Sequence, residues 1–133
     1  MQLDYLTGIR GNGALTYAGP ERLVRISRFA PSEADLLRKA VQELADGVRT
    51  ALRLDELPFV QGNGYTLEMR RGSEDEGLST ADGQAFHLVL TGGGYARMLR
   101  AMALYGEDGV HGGTWLTEAS GGIALLYSTG GSF

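Results

Sequence analysis

The chain has 133 residues, 43% of them hydrophobic, with 12 basic and 16 acidic side chains for a net charge of −4. That length suits a single globular domain around one core. The acidic balance removes the counterion-releasing basic face on which a nonspecific grip on nucleic acid depends. The absence of cysteine excludes disulfides, thiolate nucleophiles and cysteine-based metal sites. No apolar run nears the ~18 residues of a membrane span and no targeting pattern opens the chain, so a soluble, cytoplasmic protein is expected.

The charge is uneven. Residues 1–53 hold eight basic and six acidic side chains (net +2), and residues 54–133 hold four and ten (net −6). Glycine supplies 21 residues, about 16% against a usual ~7%. Its clusters, such as Gly11-Asn12-Gly13, Gly62-Asn63-Gly64 and Gly92-Gly93-Gly94, alternate with apolar periodic segments, which points to short strands and tight corners rather than disorder.

In chain order, residues 2–9, 14–18 and 23–29 read as strands. A helix is expected from Ser32, with Pro31 before it and Asp35 three residues on. Leu36, Leu37, Ala40, Val41, Leu44, Ala45, Val48, Ala51 and Leu52 recur at helical spacing, carrying the helix through Gly47 to about residue 53. Tyr65, Leu67 and Met69 alternate with Thr66, Glu68 and Arg70 as a half-buried strand. An acidic segment from Ser73 to Gly83 reads as a long hairpin loop. Phe86, Leu88 and Leu90 oppose His87, Val89 and Thr91, and Ile123, Leu125 and Tyr127 oppose Ala124, Leu126 and Ser128. In both strands the second face is also partly apolar, as in central strands. Residues 95–105 give a second helix and 114–117 a further strand. The expectation is one α+β domain over 1–133: an antiparallel sheet of about six strands with two helices on one face, ordered ββα-ββα-ββ. Two ββα pseudo-repeats (about 2–53 and 62–106) would be closed by a C-terminal hairpin (113–129).

Three groups of residues invite a functional reading. Gly92, Gly93 and Gly94 stand between a strand and a helix, where unpaired N–H groups and the helix dipole favour an anion, and Arg97, Arg100 and His111 could add charge. Neither phosphate-loop nor dinucleotide fingerprint is complete, and a tight strand-to-helix turn is the plain alternative. His87 and His111 share no metal-ligand spacing, and Glu74, Asp75, Glu76 and Asp82 lack the alternate-oxygen pattern of a calcium loop. Trp115, Tyr127 and Phe133 could form an aromatic docking patch. With no nucleophile motif, metal set or cofactor loop, the sequence points to a binding protein without catalytic machinery. It would engage a protein partner or a second copy of itself through a sheet face or edge, with no metal or cofactor. The alternative is a small-molecule or anion binder, or an enzyme, at the glycine junction.

Overall fold

The computed structural model describes residues 1–6, 22–103, 113–117 and 123–128. Within them the chain runs β1 (Gln2–Leu6), β2 (Arg22–Ser27), α1 (Pro31–Asp46), β3 (Ala51–Arg53), β4 (Thr66–Arg71), β5 (Gly77–Thr80), β6 (Ala85–Leu90), α2 (Gly92–Met102), β7 (Gly113–Thr117) and β8 (Ile123–Ser128). The strand expected over 14–18 lies outside the described residues. The fold is α+β with two helices, but its strands form two four-stranded mixed sheets instead of one antiparallel sheet. Sheet A has the order β1-β2-β8-β7 and sheet B the order β3-β4-β6-β5. In each sheet the outer pairs are antiparallel and the central pair, β2 with β8 or β4 with β6, is parallel.

The same order of elements occurs twice, as ββαββ over β1 to β4 and again over β5 to β8. This unit differs from the expected ββα because two short strands sit where the sequence suggested other states. Gly47 takes φ 78° and closes α1, its N–H bonding back to the Leu44 carbonyl at 3.3 Å. Glycine adopts that left-handed backbone without a Cβ penalty. The apolar residues beyond it therefore leave the helix; Val48 is exposed, and Ala51 to Arg53 pair with β4. Likewise β5 lies inside the acidic segment and forms the true hairpin with β6, closed by Asp82, whose carboxylate accepts the N–H groups of Gln84 and Ala85 at 2.9 Å. Beta4, the expected hairpin partner of β6, lies parallel on its other side.

One contiguous core joins the two sheets and both helices. It takes Leu3, Val24, Ile26, Leu125 and Tyr127 from sheet A, Leu67, Met69, Leu78, Phe86 and Leu88 from sheet B, and Leu37, Val41, Leu44, Tyr95 and Met98 from the helices. All six residues of β8 are buried, so the centre of sheet A is covered on both faces. Sheet B is covered on one face. Its other face carries Arg53, Glu68, His87 and Ser79 side by side on four adjacent strands.

Candidate functional site

The glycine junction is built differently from a loop. Thr91 is the N-cap of α2, and Gly92, Gly93 and Gly94 form the first helical turn. The Thr91 hydroxyl accepts the Gly94 N–H at 3.0 Å, satisfying one of the orphan donors of the helix start. Residues 72–76 connect β4 to β5 as a strap across the end of β6, and one of their three carboxylates, Asp75, sits against this turn. Its Oδ1 accepts the Thr91 N–H at 2.8 Å and the Thr91 hydroxyl at 2.9 Å, and its Oδ2 accepts Arg97 at 2.6 Å. The Thr91 N–H, then the Thr91 hydroxyl and Arg97, hold the Asp75 carboxyl below the usual carboxylate range. The place where a helix start and an arginine favour an anion is thus occupied by the chain's own carboxylate.

Two of the three glycines are required by close approach. A Cβ on Gly94 would lie 2.5 Å from Asp75 Oδ1 and 3.0 Å from the Leu90 Cβ; one on Gly92 would lie 2.7 Å from Arg71 Nη2 and 2.9 Å from the Ala45 carbonyl. Arg71 reaches that place because its Nη1 donates to the Leu44 and Ala45 carbonyls at 2.8 Å each, capping α1. Gly93 is exposed, with no neighbour closer than 3.7 Å to its would-be Cβ.

A cavity of about 340 Å³ opens between the start of α2 and β7. Asp75 and Arg97 line it together with Leu90, Gly94, Leu116 and Thr117. The Thr117 hydroxyl is buried without a hydrogen-bond partner. Two residues earlier on β7, Trp115 is 41% exposed and is not among the residues that line the cavity. The structure therefore brings Gly94 and Arg97 close to the strand that carries Trp115, which the sequence had treated as separate features. Arg100 is exposed in the last turn of α2 and does not line the cavity. Tyr127 is fully buried, its ring stacked on Phe29 at 4.4 Å, so it offers no surface to a partner. His111 and Phe133 lie outside the described residues. His87 is exposed on the open face of sheet B, with Nδ1 3.6 Å from Glu68 Oε1.

Sequence reasoning missed Asp75, Leu116 and Thr117 as parts of this site. Asp75 lies in an acidic run, Glu74-Asp75-Glu76, and nothing local separates it from its neighbours; its partners are 16 and 22 residues away. Among the described residues no three metal-ligating side chains converge. The chain matches no family model, and no curated protein or solved structure shows significant similarity to it.

Proposed function

We propose that this chain is a binding protein that engages a protein partner along β7, with the cavity between β7 and α2 receiving a partner side chain. The observation that carries this reading is β7, the terminal strand of sheet A, which presents the exposed Trp115 and lines the cavity with its next two residues, Leu116 and Thr117. Among the described residues β7 ends sheet A, and the terminal strand of a sheet is where an added strand joins. An exposed tryptophan is a usual anchor of binding energy. The anion-binding reading is less well supported, because Asp75 already neutralises Arg97 and the helix start.

Trp115 is the only tryptophan, so its fluorescence reports on the surface in question. A partner recovered with the tagged protein should shift the Trp115 emission on titration and bind at least tenfold more weakly to Trp115→Ala, which corresponds to about 1.4 kcal/mol. A partner held equally by Trp115→Ala and Arg97→Ala would reject the reading. A small anion or metabolite that raises the melting temperature of the wild-type protein, but not of Arg97→Ala, would establish the alternative.

A further inference from the structure

We propose that the chain exchanges its two ββαββ units with a second copy, forming a strand-exchanged dimer in which residues 73 and 74 are the hinge. Neither sheet belongs to one unit. The β1–β2 pair of the first unit meets β8–β7 of the second in sheet A, and β3–β4 meets β6–β5 in sheet B. The units are held together by two parallel ladders, Arg22 to Ser27 against Ile123 to Ser128 and Thr66 to Arg71 against Ala85 to Leu90, and by α1 packed along α2. Each of these contacts joins residues of different units. A second copy supplies the same surfaces in the same register, so exchange needs no new chemistry.

The strap of residues 72–76 links the units covalently, and its contacts divide at the hinge. Asp75 and Glu76 are bound to the second unit, through Thr91, Arg97 and the Val89 carbonyl. Gly72 donates to the Leu90 carbonyl across the unit boundary, a bond that an exchanged dimer remakes. Between them, Ser73 and Glu74 are exposed. In the closed monomer these few residues must carry the chain over the end of β6, two strand spacings or about 10 Å, around the start of α2. The closed and exchanged forms thus share their inter-unit contacts and differ in strap path and in concentration dependence. Strap length sets the effective concentration at which the chain closes on itself, in the millimolar range for short flexible links and near zero when the link cannot span.

The absence of cysteine makes a direct test possible. Glu68 and His87 are paired across β4 and β6, in different units, and both point away from the core. A Glu68→Cys, His87→Cys chain closes its disulfide within one chain in the monomer and between chains in the exchanged dimer, at a strand spacing that suits the bond. Three forms of this chain are refolded over a range of concentrations, diluted, oxidised and run on a non-reducing gel after sizing. With the natural strap, the interchain product should rise as refolding concentration approaches ~1 mM. With residues 73 and 74 deleted it should dominate even in dilute solution; with about eight Gly/Ser residues inserted it should vanish. The proposal is overturned if the natural strap gives only intrachain disulfide at ~1 mM, an arm that decides alone should the deletion fail to fold. It is equally overturned by a deletion variant that folds with its disulfide intrachain, by a dimer whose disulfides stay within each chain, or by interchain product that ignores strap length.

Discussion

Gly93 and Gly94 are neighbours in one helical turn, and alanine has opposite expected effects at the two. At Gly93 the new methyl meets open space, so Gly93→Ala should stabilise by up to about 1 kcal/mol by restricting the unfolded chain. At Gly94 it would collide with Asp75 Oδ1 and Leu90, and overpacking of about 1–3 kcal/mol should outweigh the same gain. Thermal melting of the two variants checks both signs. Asp75 itself makes stability depend on pH. Its folded carboxyl titrates below the unfolded value of about 3.9, so its contribution is present above that pH and is lost as pH falls through the depressed folded value. Asp75→Asn should therefore melt below wild type at pH 7, and the gap should close on acidification below about pH 4. A gap that stays constant from pH 7 to pH 3 would refute this account of the junction.

At the scale of elements, α1 ends because of one backbone position and one distant side chain. Gly47→Ala places a Cβ at φ 78°, where an L residue costs about 1–2 kcal/mol, and brings it within 3.2 Å of Arg71. Asn at position 47 should cost less, since it tolerates that conformation. Arg71→Ala removes the guanidinium donor from the Ala45 carbonyl and leaves the Leu44 carbonyl only the longer bond from the Gly47 N–H, with an expected loss of about 1–2 kcal/mol after discounting for its exposure. Arg71→Lys, a point charge without the guanidinium fork, should fall between alanine and wild type in urea unfolding. The helix pattern continued past Gly47 in the sequence because Ala51 and Leu52 happen to keep its spacing; pairing with β4 claimed them for a strand instead.

For the molecule as a whole, the distance between partners along the chain governs folding. Leu23 pairs with Ala124, 101 positions later, and such non-local ladders must close large loops before they gain contacts. Folding in the millisecond-to-second range is expected. Both parallel pairs share one core, so Leu125→Ala, at a fully buried position of β8, should cost about 2–5 kcal/mol and lower amide protection in sheet B as well as sheet A. Hydrogen exchange resolves this: loss confined to sheet A would show that the sheets open independently. In the wild type the slowest amides should lie in β2, β4, β6 and β8, the central strands.

Local pattern was enough to indicate two helices, though α1 stops at Asp46 rather than near residue 53 and α2 begins at Gly92 rather than at Tyr95. It also gave the buried faces of β4 and β6 and the central positions of β6 and β8, because periodicity of 3.6 or 2 records which side of an element meets the core. Only the tertiary structure decided that the central pairs run parallel, that β5 rather than β4 forms a hairpin with β6, that Tyr127 is interior, and that Asp75 fills the start of α2. Each of these depends on which distant segment lies alongside. Side-chain alternation is the same whether a strand's neighbour runs parallel or antiparallel, and a carboxylate in an acidic run looks solvated until the arginine 22 residues away is brought against it.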